Sequence, residues 1–322
     1  MILPFYRRIC IGSLENYLFQ TISIVWFMLF SNGQLSGQYA PRDTSFFVNS
    51  DGARLFVRSV GSGTPMVIIH GGPGMSQDYL APQLIDLLAK EYTLIFYDQR
   101  ASGRSSGVED TTRLTMSQFV MDLENLRKSL KLDRMNLLGH SFGGLLSMYY
   151  AVNHPEAVGK ILLLDTSPAS WELNFPYFLR TISQRQTEAN LREMASLKEA
   201  AATDPATMDR YLKVFFRTFF YNPHFSDSLQ LGINDQWLVN NKVTGERIWK
   251  DLGHYDIHDR LAGITAPVLI VHGDASVISV DGAKAIADRI PQSKFMLLEK
   301  VGHFPYIEAP LEFAVALKDF IR

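Results

Sequence analysis

Apolar residues along the chain fall into short, nearly unbroken runs. Residues 66–69, 93–97, 135–138, 161–164, 268–271 and 295–298 are mostly aliphatic or aromatic, with no regular polar alternation. A strand with one face in water alternates, whereas a strand covered on both faces does not. These runs therefore predict a buried parallel sheet. Two further strand signals, 46–48 and 55–57, flank Asp51-Gly52, a dipeptide suited to a tight hairpin turn. A longer period lies between the runs. Over 116–130 apolar residues recur at Phe119, Val120, Leu123, Leu126 and Leu130, the spacing of one helix face. Residues 145–152 and 282–290 are predicted helices too. Strands alternating with helices predict an α/β fold: a mostly parallel eight-stranded sheet with helices on both faces.

The alternation breaks over 170–261. This stretch is helix-rich and aromatic, with Trp171, Phe178, Phe215, Phe216, Phe219 and Trp249 among its rings. It is predicted to be a helical cap inserted after the sixth strand, so that 46–169 and 262–322 form the core.

The N-terminal segment follows neither pattern. Arg7 and Arg8 precede an apolar run over 18–30, and Ser31, Asn32 and Gly33 follow it. A positive region, a short apolar core and then small residues predict a signal peptide over 1–33, with a polar linker over 34–45. The run is shorter than the ~20 residues of a spanning helix. An uncleaved membrane anchor is the rival reading, and it would be the protein's only route to a membrane. The single cysteine, Cys10, falls inside this leader, so the mature chain is expected to be exported, to the periplasm or beyond the cell, with no disulfide and no cysteine metal site. Net charge is only −2, and no block of one sign stands out, which argues against nucleic acid as a partner.

Three short motifs carry candidate chemistry. Gly139-His140-Ser141-Phe142-Gly143 follows the predicted strand 135–138 and precedes a predicted helix. This is the G-x-S-x-G nucleophile elbow, whose glycines permit a turn too tight for neighbouring Cβ atoms and leave the serine hydroxyl exposed. His70-Gly71-Gly72-Pro73-Gly74 follows the strand 66–69. Acyl transfer needs two donors for the developing oxyanion, and the amides of Gly72 and Phe142 are the expected pair. Gly302-His303-Phe304 follows the last strand, where His303 is placed to act as general base for Ser141. His254 and His258 are four apart, like two ligands on a helix, but a third ligand is not evident, so no metal or other cofactor is expected.

HGGPG, then Asp98-Gln99-Arg100-Ala101-Ser102-Gly103-Arg104-Ser105, then GHSFGG and GHFPYIEAP resemble the proline iminopeptidase family of α/β-hydrolase fold serine hydrolases, over roughly 46–322. The resemblance implies an aminopeptidase acting on a short peptide, with acidic groups of the cap binding the substrate's free amino terminus. Glu172, Glu188, Glu193, Glu199, Asp235 and Glu246 are the cap acids available. The sequence departs from the family twice. Its elbow reads GHSFGG, the more general hydrolase form, where proline iminopeptidases usually have GGSWG. A carboxylesterase or other small-molecule acyl hydrolase is therefore the alternative, and a non-catalytic ligand-binding homologue a further one.

The second departure concerns the acid of the triad. The family places it three residues after the glycine that ends the seventh strand, and here that slot holds Ser276. Two carboxylates can substitute. Asp165 ends the sixth strand, a position from which some α/β hydrolases draw their acid. Asp274 lies two residues before Ser276. Asp98 and Arg100 are read as structural, holding the loop beside the oxyanion strand.

Overall fold

The structure, a computed structural model, describes residues 42–107 and 109–321. The predicted leader over 1–33 and the linker up to residue 41 lie outside the described residues. No helix among the described residues is long and apolar enough to cross a membrane.

The Asp51-Gly52 turn takes positive φ at both residues, 37° and 80°. It joins strand β1 (Arg42–Ser50) to β2 (Ala53–Gly61), with Phe47 opposite Phe56 and their rings 5.6 Å apart. The expected linker is therefore shorter than 34–45. Residues 42–45 already pair with β2, because a main-chain ladder extends an edge strand without requiring apolar side chains. Six further strands follow: β3 (Thr64–Ile69), β4 (Tyr92–Tyr97), β5 (Met135–His140), β6 (Val158–Leu164), β7 (Val268–Gly273) and β8 (Ser293–Leu298). The sheet order is β1-β2-β4-β3-β5-β6-β7-β8. β2 pairs antiparallel with β1 and β4, and the other pairings are parallel.

Successive strand residues feed two cores. Val67, Ile69, Leu137, Leu163 and Ile270 face one side, and Met66, Ile68, Leu138, Leu162 and Val271 the other. Helices α1 (Ala81–Leu88), α2 (Met116–Ser129) and α3 (Phe142–Asn153) lie in the first half. α3 begins at Phe142, three residues before the predicted start, because it springs directly from the elbow. Between β6 and β7 the chain inserts α4 (Trp171–Arg185), α5 (Glu188–Ala201), α6 (Pro205–Phe216) and α7 (Asp235–Leu252). The two ends of this insertion meet, with Trp171 N donating to Tyr255 O and Ile257 N to Ala169 O. α8 (Val280–Ala287), α9 (Pro305–Glu308) and α10 (Pro310–Ile321) complete the chain. α2, α3 and α8 cover the first core, and α1 and α10 the second. The loops that follow β3, β4, β5, β6, β7 and β8 all leave the carboxyl edge of the parallel strands, where such sheets bind ligands.

Candidate active site

Ser141 sits between β5 and α3 with φ 56° and ψ −124°. A non-glycine residue in such backbone costs on the order of 1–3 kcal/mol and persists only where its surroundings impose it. They do so here. Ser141 N donates to Leu164 O, while Ser141 O accepts from Gly144 N and Ser167 N, at 3.0–3.1 Å. The glycines cannot carry side chains: a Cβ on Gly139 would strike the Gly143 carbonyl, one on Gly143 the Ile69 carbonyl, and one on Gly144 the Thr166 hydroxyl.

The loop after β3 packs against this elbow. A Cβ on Gly71 would lie 2.9 Å from Ser141 Cβ. Gly72 has φ 122°, a region L side chains rarely enter. The loop is held from below by the DQR segment. Gln99 N donates to His70 Nε2 at 3.0 Å, and Gln99 Nε2 donates to His70 O at 2.6 Å. His70 Nδ1 then donates to Gly71 O at 2.8 Å. Burial keeps this ring neutral, with its pKa down to about 4. Asp98 accepts from Gln77 N and Arg104 N, and Arg100 is bound by Asp122 and by the carbonyls of Ser50 and Asp51. Both residues therefore brace the loops, as their structural reading predicts. Phe142 is the first residue of α3, where main-chain amides have no partner within the helix.

His303 Nδ1 lies 2.6 Å from Asp165 Oδ1, and both side chains are buried. A carboxylate only accepts, so Nδ1 carries the proton and Nε2 presents a lone pair. Asp165 directly follows β6, with φ 41°. Its Oδ2 accepts from Gly273 N at 3.0 Å, and its Oδ1 accepts from Ser276 Oγ at 2.5 Å. Burial alone would raise the Asp165 pKa. His272, His303 and the Gly273 amide outweigh burial and bring it to about 2, so the group is a carboxylate at neutral pH. Asp274 is exposed, and its Oδ1 accepts from Val301 N at 3.3 Å. Of the two acids considered from sequence, Asp165 is the one brought to His303.

Ser141 and His303 open onto one cavity of about 220 Å³, together with Gly72 from the oxyanion loop. The insertion covers it with Phe178, Phe215, Phe216 and Phe219. Among the described residues, no acidic one lines this cavity. Glu193 is bound by Arg210 and Arg217, Glu188 pairs with Arg192, and Glu172 lies beside His254. Glu199, Asp235 and Glu246 are exposed. The insertion contributes one polar lining residue, Asn241. His258 is bound to Asp256, and among the described residues no three side chains group as metal ligands.

Sequence reasoning missed Tyr79, His140 and Asn241 as lining residues. His140 was visible only as the variable position of its motif. Tyr79 lies in a short helical turn beyond the oxyanion loop, with no motif around it.

The strained Ser141, the buried His303–Asp165 pair and the parallel sheet together have the form of a hydrolase. Residues 64–310 match the family model described as alpha/beta hydrolase fold, and the chain belongs to that family. A proline iminopeptidase of Lactobacillus helveticus (strain DPC 4571) is 30% identical over 278 residues, 80% of this chain and 89% of that one. The fold is also that of a crystal structure of proline iminopeptidase from Mycobacterium smegmatis (TM-score 0.63, 24% identity, covering 86% of this chain and 97% of that one). An esterase from Exiguobacterium antarcticum is as similar (TM-score 0.66, 24% identity, covering 86% and 99%).

Proposed function

We propose that the protein is a serine acyl hydrolase whose preferred substrates are neutral carboxylic esters with a partly apolar acyl group. Ser141 Oγ attacks the substrate carbonyl, and His303 Nε2 takes its proton. Asp165 holds the imidazole in the required tautomer and stabilises the imidazolium. The Gly72 and Phe142 amides receive the oxyanion. His303 then protonates the leaving alcohol, and water, deprotonated by the same imidazole, releases the acid from the acyl-enzyme. The four inserted helices act as a cap that supplies the apolar wall.

The observation that carries the substrate class is that, among the described residues, those lining the cavity include no carboxylate. A peptide's free ammonium group, taken out of water without a counter-charge, is strongly penalised. A neutral ester meets no such penalty beside Phe178, Phe216 and Asn241. The aminopeptidase reading stands second and rests on the relatives named proline iminopeptidase. Comparing kcat/KM for p-nitrophenyl butyrate and prolyl p-nitroanilide tests the choice. A higher value for the ester supports it, and a higher value for the prolyl substrate overturns it. Export rests on the pattern of residues 1–33 alone, and N-terminal sequencing of the processed protein tests it.

A further inference from the structure

Two buried polar rings stand between the parts of the site. Gly71 N donates to Tyr79 Oη at 2.6 Å, Tyr79 Oη lies 2.8 Å from His140 Nδ1, and His140 Nε2 lies 2.8 Å from the carbonyl oxygen of His303. The direction of each bond follows from its ends. A carbonyl can only accept, so His140 Nε2 carries a proton. Burial drives the His140 pKa down to about 3, with the neighbouring His303 adding to the effect, so Nδ1 is a lone pair. Tyr79 must therefore donate to Nδ1 while its oxygen accepts from Gly71. Every donor and acceptor along the chain is used once.

We propose that Tyr79 and His140 are positioning residues, forming a fixed relay that ties the oxyanion loop to the loop carrying the general base. The proposal rests on the reading of Ser141 and His303 given above. The relay begins on the amide next to Gly72 and ends on the main chain of His303. The other side of that residue is held too, because His303 N donates to Phe219 O at 2.7 Å. Tyr79 is itself anchored from the far end of the chain, since Tyr306 Oη donates to its carbonyl at 3.1 Å. His140 packs against Phe304 with ring centroids 5.5 Å apart, so its ring is clamped in plane as well as by its bonds. An apolar pair would fill the same space without desolvating a phenol and an imidazole. What the polar pair adds is a constant spacing between the loop after β3 and the imidazole on the loop after β8, which are far apart in sequence. Spacing of this kind governs the transition state more than ground-state binding.

The test has two arms. In the first, Tyr79→Phe keeps the ring and removes only the hydroxyl, and is expected to lower kcat about tenfold with KM within about twofold of the parent. His140→Gln can still present an N–H to the His303 carbonyl and is expected to keep kcat within about threefold, whereas His140→Leu cannot and is expected to lose about a hundredfold. Parental kcat in Tyr79→Phe, or equal losses in His140→Gln and His140→Leu, overturns the relay. The second arm needs neither variant folding nor turnover. Long-range ¹H–¹⁵N correlation spectra of the full, histidine-labelled protein are expected to show His140 protonated at Nε2 and bare at Nδ1. A proton at Nδ1 overturns the proposal. An unliganded protein that shows the expected tautomer yet hydrolyses no ester would count against the proposed function and leave the relay's bonding intact.

Discussion

Ser276 donates its hydroxyl proton to Asp165 Oδ1 at 2.5 Å while accepting from Ile278 N at 3.0 Å. The residue in the family's usual acid slot thus binds the carboxylate that, in the proposed mechanism, acts from one strand away. Its bond helps fix the carboxylate oxygen that also faces His303. Hydrogen bonds to a charged group contribute about 1.5–3 kcal/mol. Ser276→Ala is therefore expected to lower kcat by about tenfold or somewhat more, with little change in KM, and steady-state kinetics on a p-nitrophenyl ester checks it.

Asp98 gives a pH signature in stability. Burial raises its pKa to about 6, against the opposing effects of the Gln77 and Arg104 amides. In the unfolded chain the group ionises near the ordinary 3.8. Between these values the folded state holds a proton that the unfolded state has lost, so its contribution is fully present below about pH 4 and is lost as pH rises through about 6. The span amounts to something on the order of 2–3 kcal/mol. Urea unfolding at pH 4, 5, 6 and 7 is expected to show this fall in the parent and a flatter profile in Asp98→Asn.

The elbow's glycines set a steric limit. Gly143 carries no positive φ, yet a Cβ there would meet the Ile69 and His70 carbonyls, which are main chain and cannot swing away. Gly143→Ala is expected to destabilise the fold by more than about 2 kcal/mol or to abolish soluble expression. Gly253→Ala, where φ is 51° but no atom lies within 4 Å, is expected to leave the fold intact and to cost about 1–3 kcal/mol from backbone strain alone. Thermal unfolding of the two variants side by side distinguishes contact from conformation.

Substrate choice is expected to respond to charge at a single cap position. Asn241→Asp would put a carboxylate into the cavity beside the oxyanion loop. This variant is expected to raise kcat/KM for aminoacyl p-nitroanilides relative to neutral esters by about tenfold, the scale of one partly solvated ion pair. Paired kinetics with alanyl p-nitroanilide and p-nitrophenyl butyrate reads the ratio directly.

Much of this was legible from residues alone. The doubly buried runs named β3 to β7 because such strands leave an unbroken apolar signal; 295–298 named β8 too, although β8 is an edge strand that leaves Leu297 exposed and is not covered on both faces. Asp51-Gly52 named the hairpin because few other dipeptides accept two positive φ values. Ser141, Gly72, Phe142 and His303 were legible as candidates because the chemistry proposed for them demands local backbone geometry, which glycine spacing records. Asp165 was only one of two candidates, since an acid's role depends on which loop meets the histidine in space, 138 residues further on. The start of β1 at Arg42 was missed because its pairing is made by main chain and leaves no side-chain pattern. The apolar, acid-free wall of the cavity was not legible at all. Sequence shows that Glu172, Glu188, Glu193, Glu199, Asp235 and Glu246 lie in the insertion, and it takes the packing to show that each faces an arginine, a histidine or water.

The most direct test of the account is fluorophosphonate labelling of the purified protein, read together with kcat on a p-nitrophenyl ester, for the parent, Ser141→Ala, Asp165→Asn and Asp274→Asn. The predicted result is labelling of the parent, none in Ser141→Ala, a loss of up to about 10⁴ in kcat for Asp165→Asn, and near-parental behaviour in Asp274→Asn. An unlabelled parent, or a large loss in Asp274→Asn with Asp165→Asn unaffected, would contradict it.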